Sequence, residues 1–539
     1  MTAVAPYKSQ APGGRDGFRP LVRAELTKLR TVRGWVVGIL LAPLLTVAVG
    51  FLYSHATCSV TGQNGQSAAC PAPPTGPGGE AVTDVFYFAQ QTLTGNGTIT
   101  ARVTSLTGEY SPDGSGISAA GTPRGRLRPG VQPWSKAGIM VSASTAPGSA
   151  YAAMLVTGGN GVRMQWNYTG DSPGLPGAVS ASSPRWLRLT RSGNTVTGYD
   201  SPDGTHWTEV SRAVLPGLRP SAHVGLFATS PSYQTIVPVG SSDFASGPSL
   251  ATGAFDQVRL AWAGAGGAWT GTSVGGAGVA GQDGISTFAA GPHSFTHSGG
   301  RFTVTGSGDI APDVPEAPQG TGEKASQELL YAGSVSLIPV IIVAALFMTA
   351  EYRRGLIRLT FAASPRRLRV LAAKAVAIGL VTFIAGLAGA AITLLLGIHT
   401  LRAGGSFVLP MTVFTGIRVV VGVAAVLAVA AVLALALGAL TRRGVTAVTA
   451  VIVLVFLPIL LATLPGLLSP AGQDWLLRVT PPAALAVTQD VPAYHQVIAQ
   501  NTPPTGYFPL AWWAGFAVLC AWAAFALAGA AYALRRRDV

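Results

Sequence analysis

VVVGVAAVLAVAAVLALALGAL, residues Val419–Leu440, holds no polar side chain at any position. A helix of this composition has no face to turn toward water, and a bilayer core takes about 20 consecutive apolar residues as a helix. Five more stretches of comparable length carry no charge: Trp35–Tyr53, Tyr331–Thr349, Ala375–Ile398, Gly444–Leu468 and Leu510–Leu534. Buried helices of a large soluble protein are the alternative, but six runs without a polar face argue against it. The reading is a polytopic α-helical membrane protein with six transmembrane helices. Pro43, Pro339, Pro458 and Pro465 are tolerable because neighbouring spans can satisfy the freed carbonyls. Ala385 and Gly389, four apart, would allow close helix approach.

The chain has 539 residues, 11% of them charged, and a net charge of +14. That charge is unevenly placed. Residues 54–329 hold 14 Lys+Arg and 16 Asp+Glu, so the excess lies wholly in the apolar part, which removes nucleic acid as the implied partner. Basic residues cluster before the first span, after the second, after the fourth (Arg442, Arg443) and after the sixth (Arg535, Arg536, Arg537). The opposite short loops offer Arg402, Arg418 and Arg478. Positive residues stay inside, so both termini are expected in the cytoplasm of a bacterial cell, with residues 54–328 extracellular. The basic leader is too long for a typical cleaved signal peptide, so the first span reads as an uncleaved signal-anchor.

The expected organisation is a cytoplasmic leader (1–34), span 1 (35–53), an extracellular linker (54–83), a β-sandwich (84–262), a Gly-rich β segment and linker (263–328), span 2 (331–349) and a cytoplasmic loop (350–374). Spans 3 to 5 follow (375–398, 419–440, 444–468), then an extracellular loop (469–509), span 6 (510–534) and a tail (535–539). In GTITARVTSL (97–106), Ile99, Ala101 and Val103 alternate with Thr100, Arg102 and Thr104, which is strand periodicity. Similar runs are 135–143, 150–157, 161–168, 185–191, 195–200, 223–229 and 254–262, with turn signals between them. Asp203-Gly204 is expected to turn a hairpin, with Trp207 packing back.

The segments PWSKAGIMV (133–141), SAYAAMLVTGGNGVRMQW (149–166), PRWLRLTRSGNTVTGYDSPDGTHWTEV (184–210) and FDQVRL (255–260) together resemble the concanavalin-like lectin/glucanase jelly-roll superfamily. That resemblance implies an inserted all-β jelly-roll sandwich, a fold that hosts lectins, glycosidases and structural modules. A glycosidase needs two carboxylates flanking the bond. Glu109, Asp113, Asp200, Asp203 and Glu209 all sit beside turn residues and read as solvated. Glycan contact would fall to Trp134, Trp166 or Trp207. His293 and His297 share no helical face and have no third ligand nearby, so no metal site is expected. Cys58 and Cys70, outside the cell, are a candidate disulfide; Cys520 reads as an apolar filler.

The dipeptide Gly-Lys never occurs, so the phosphate-cradling loop GxxxxGK[ST] is absent, as are HExxH and GxSxG. No catalytic, cofactor-binding or metal-ligating set is expected. The informative segments are cytoplasmic. Residues 19–33 form an amphipathic helix with Leu21, Leu26 and Leu29 among basic residues. In 350–374, Leu356, Leu359 and Phe361 precede a break at Pro365 and a second basic helix.

AELTKLRTVRGW (24–35) and EYRRGLIRLTFAASPRRLRVLAAK (351–374) resemble the permease subunits of type-2 ABC exporters: an elbow helix before the first span and a coupling loop after the second. The matching positions are Glu25, Lys28, Leu29 and Arg30, then Glu351, Gly355, Arg358, Pro365, Arg367 and Lys374, with Arg353 and Arg354 alongside. The resemblance covers the apolar half, and the large insert departs from the family pattern. It implies a homodimer or heterodimer of permeases in the lipid bilayer above separate ABC ATP-binding subunits, where ATP is used. The other reading is a membrane-anchored protein whose sandwich binds or senses a cell-surface glycan.

Overall fold

The computed structural model describes residues 17–54, 59–61, 67–69, 73–111, 127–234, 246–275, 293–314, 329–330, 333–353, 355–357, 360, 366–404, 408, 411–464, 467–490, 494–497 and 510–536. Cys58, Cys70, Asp113, Arg354, Arg358 and Pro365 lie outside them.

Helix α1 (Phe18–Thr31) is followed, after the extended Val32, by α2 (Arg33–Ser54). After the insert come α3 (Leu337–Arg353), α4 (Arg367–Ala403), α5 (Val413–Thr441), α6 (Gly444–Thr463), the short α7 (Pro470–Val479) and α8 (Trp512–Arg536). Six of these segments are long and apolar enough to cross a membrane, the mark of a membrane protein. The segments ending in α3 and α5 are 67% and 56% buried, against 22% for α2, so α3 and α5 form the centre and α2 the rim. α4 begins at Arg367 rather than Ala375, so the second basic helix and the third span are one continuous rod.

Small residues let that rod pack. A Cβ on Gly389 would come within 2.9 Å of Pro43 Cα in α2, and one on Gly386 within 2.9 Å of Ala424 Cα in α5. Hydroxyls inside the helices return to their own backbone: Thr46 to Ala42, Thr349 to Ala345, Thr382 to Ile378. These three hydroxyls are buried between helices, and each keeps its hydrogen bond within its own helix.

The insert is an antiparallel sandwich. One sheet runs, in spatial order, Gly170–Pro173, Val162–Trp166, Tyr151–Thr157, Lys136–Ser142, Ser221–Thr229, Phe86–Thr94, Thr270–Val274. The other runs Thr208–Val214, Thr195–Ser201, Arg185–Ser192, Gly97–Tyr110, Ser249–Trp262, Arg301–Gly306, Ser294–Ser298, with Arg128–Pro129 beside the fourth strand. Ile99, Ala101, Val103, Leu187, Leu189 and Phe255 point from the second sheet into the shared core, as the alternation requires. The segment after Trp262 is part of the sandwich: Phe302 and Val304 enter the same core. Phe86–Thr94 lacks alternation because it is buried on both sides.

The outward face of the first sheet is also closed. Phe86, Phe88, Met140, Tyr151, Leu155 and Phe227 are buried there, beneath the insert's own ends. Val82–Asp84 pairs with Ile310–Pro312, forming a two-stranded strap. The fully buried Lys136 fastens it, donating to Asp309 Oδ1 and to the Ile310 carbonyl, both at 2.6 Å. Asp84 accepts from the Tyr168 hydroxyl at 2.7 Å and from Gly148 N–H at 2.9 Å. Burial pushes the Asp84 carboxyl up to about 6 despite those two donors.

Candidate functional site

Glu25 and Lys28 lie three apart on α1 and therefore on one face. Of the helix, Glu25 and Leu29 are buried. Glu351 sits in the last turn of α3, and Lys374 two turns into α4. The fold brings the four together. Lys374 Nζ donates to Glu25 Oε2 and Glu351 Oε1, both at 2.7 Å. Lys28 Nζ donates to Glu25 Oε1 at 2.8 Å and to Glu351 Oε1 at 3.0 Å. Each ammonium thus bridges the same two carboxylates, and the four charges sum to zero.

Lys374 is fully buried, Glu25 and Glu351 are nearly so, and Lys28 forms the solvent edge with 39% of its side chain exposed. Burial lowers the proton affinity of Lys28, but its hydrogen bonds to Glu25 and Glu351 outweigh that and hold it above the usual lysine value. Beneath the network, Lys374 Nζ lies 4.5 Å from the centre of the Phe347 ring, which meets Trp35 edge-on at 5.2 Å. Glu351 Oε2 is buried and accepts no hydrogen bond among the described residues. The arrangement has no nucleophile and base in contact; what it does is lock α1, the end of α3 and the start of α4 into one body.

The remaining coupling candidates surround this block. Arg353 is exposed at the end of α3. Gly355 stops that helix in the left-handed region (φ 65°), its N–H reaching the Tyr352 carbonyl at 3.2 Å. Arg367 donates to the Leu534 carbonyl at 2.9 Å, capping the end of α8. The Arg442 guanidinium lies 5.4 Å from the Tyr352 ring centre, joining the α5–α6 turn to α3.

The sandwich candidates do not converge. Trp134 is 4% exposed, with the Arg163 guanidinium 5.6 Å from its ring. Trp166 packs against Gly170, where a Cβ would meet the ring at 2.2 Å. The Trp207 indole donates to the Gly204 carbonyl at 3.1 Å, within the expected hairpin turn at Asp203-Gly204. The expectation that Asp200 is solvated is overturned. It is 1% exposed and accepts from Leu175 N–H at 2.6 Å, because its strand position faces inward. Burial raises its proton affinity, opposed by that bond. Asp203 is exposed and held well below the usual carboxylate range by His206 and its own turn amides, Glu209 pairs with Arg212 at 3.5 Å, and Glu109 lies exposed on a strand. His297 stacks on Phe302 and His293 bonds Ser273 and Ser307, so the two serve different contacts. Cys520 is partly buried within α8.

The sequence carries one signal that singles out the two lysines of this network. Apart from Lys8, Lys28 and Lys374 are the only lysines outside the insert, where every other cation is arginine. A compact ammonium with three donors can sit between carboxylates in a pocket too small for a guanidinium.

No family model matches the chain, and no curated protein matches it. Solved structures resemble part of it. Scytalido-glutamic peptidase, in complex with a peptide-based transition-state analog, is 9% identical over 41% of this chain and 98% of that one, with a TM-score of 0.24. SCP-B, a member of the Eqolisin family of peptidases, is 8% identical over 41% and 98%, with a TM-score of 0.23. The GH43 protein BlXynB from Bacillus licheniformis is 16% identical over 31% and 27%, with a TM-score of 0.18. At these scores none bears on function.

Proposed function

We propose that the chain is the membrane-spanning permease subunit of an ATP-driven exporter, forming the pathway with a second permease and coupled to separate ATPase subunits. The observation that carries this reading is the neutral four-charge network. It unites the two segments that resemble the elbow helix and coupling loop of type-2 ABC exporters, although Glu25 and Lys374 stand 349 positions apart. A permease in this scheme needs no catalytic group. It needs a rigid block that takes a push from the ATPase and hands it to the spans. α1, the end of α3 and the first turns of α4 make such a block: their relative positions are held by ionic bonds, and α4 runs without interruption from Arg367 to Ala403. In this reading Arg353, exposed where α3 ends, would meet the ATPase subunit. Among the described residues of the sandwich, Asp84, Asp171, Asp200, Asp256 and Asp309 are each held by their own partners.

The test is purification of the tagged chain from its native membrane. The expected result is a co-purifying ATPase subunit, with transport-coupled hydrolysis lost in a chain carrying Arg353→Glu and Arg354→Glu. Purification without an ATPase, or unchanged coupling in that double variant, would overturn the proposal.

A further inference from the structure

With one face of the sandwich under the strap, the outward face of the other sheet carries, among the described residues, the partly exposed Trp186, Arg188, Tyr199 and Trp207 and the exposed Arg212 and Arg259. Its cross-strand register places side chains in rows. One row reads Asp256, Arg102, Trp186; the next reads Arg259, Thr100, Arg188, Tyr199, Glu209; a third reads Thr98, Thr190, Thr197, Arg212. Rows on one face lie about 7 Å apart and strands about 4.8 Å apart. The hairpin after Ser201 folds over this surface: Gly204 sits against the Trp186 ring, and Trp207 stacks on the Arg188 guanidinium at 3.7 Å from the ring centre. Arg102 lies 5.7 Å from the Trp186 ring centre.

The charges are unbalanced. Arg102 is forked onto Asp256, both bonds at 2.6 Å, and Arg212 pairs with Glu209. Arg188 and Arg259, together with Arg301 at the sheet's far side, face no carboxylate within ion-pair distance among the described residues. Glu109, the next outward carboxylate on the long central strand, lies seven residues from Arg102, about 23 Å along the strand.

We propose that this face, centred on Arg188, Trp207, Trp186 and Tyr199, binds an acidic polysaccharide of the cell envelope. Aromatic faces carry the apolar side of a sugar ring, and guanidinium forks take carboxylates. The choice of a polysaccharide over a nucleic acid rests on the outward placement of the insert in the proposed topology.

The test uses the full chain in detergent, with polygalacturonate as the acidic polymer, a neutral galactan, and a single-stranded DNA. Saturable binding to polygalacturonate is expected, at least about tenfold tighter than to galactan and weakened by salt. Arg188→Ala should weaken it by about tenfold or more, and Arg259→Ala, at an exposed position outside the stacked pair, by a smaller factor at unchanged melting temperature. Equal binding of galactan or DNA, or undiminished binding in both variants, would overturn the proposal. Trypsin cleavage of the insert on intact cells reports its placement separately, and ATPase co-purification reports the permease reading, so neither failure is confused with failure of the binding face.

Discussion

Replacing Lys374 by methionine removes one of two cations that bridge Glu25 and Glu351 and keeps a side chain of similar length. The two carboxylate oxygens it held are each 2.7 Å from its Nζ, hence at most about 5.4 Å apart. At an effective dielectric of about 20, two like charges at that separation repel by roughly 3 kcal/mol. Loss of one partner from a buried ionic set typically costs about 3–5 kcal/mol, which agrees. Lys28 remains bonded to both acids, so the lower end of that range is expected. Thermal unfolding of the detergent-solubilised chain should show a clear fall for Lys374→Met. Glu351→Gln in the same background should recover part of the loss by removing the repulsion, giving a coupling of about 1–3 kcal/mol in the double-mutant cycle. If the two changes add to within about 0.5 kcal/mol, the residues do not form a network and the reasoning fails.

Gly355→Ala forces a left-handed φ on a residue with a Cβ and should destabilise by about 1–2 kcal/mol, read as a lower melting temperature. Gly389→Leu drives a side chain into Pro43 of α2, so cross-linking between cysteines placed on α2 and α4 should drop, with a loss of about 1–3 kcal/mol. Asp84, normally near 3.8 and here about 6, binds its proton more tightly folded than unfolded. Its contribution is therefore full below about pH 4 and falls by about 3 kcal/mol as pH rises through 6. Asp84→Asn should flatten that part of the insert's stability profile, and an unchanged profile would show that Asp84 titrates normally. Lys136→Met leaves Asp309 buried without its cation and should expose the strap to limited proteolysis while the sandwich core survives.

Legibility followed physical cause. The six long helices were readable because each holds a long apolar run, and Ile99, Ala101 and Val103 because one face of their strand is wet. Phe86–Thr94 was hidden because burial on both sides erases alternation; the β segment after Trp262 was legible, but not that Phe302 and Val304 enter the core of the sandwich. Asp200 was misread because its neighbours are turn residues, while its own position faces the core. For the candidate site, local sequence gave the residues but not their meeting: a pairing across 349 positions leaves no local periodicity. The stacking of Trp207 on Arg188 depends likewise on register between strands.

Both fully buried lysines do the same thing in different settings. Lys136 joins the sandwich to a strap 173 positions away, and Lys374 joins α4 to α1. A buried ion pair gives little net stability, since desolvation offsets attraction, yet breaking it is costly, so its value lies in fixing which elements meet. In the sandwich that is a local matter, because an apolar core between two sheets already holds the fold. Among the helices it is decisive. Spans in lipid gain no hydrophobic drive from packing together, and α1 presents mostly exposed residues, with only Glu25 and Leu29 buried. The position of α1 is thus set chiefly by the network. Breaking the Lys374 bridge should loosen α1 from α3 and α4 while leaving the long helices folded, as the proposed coupling role requires.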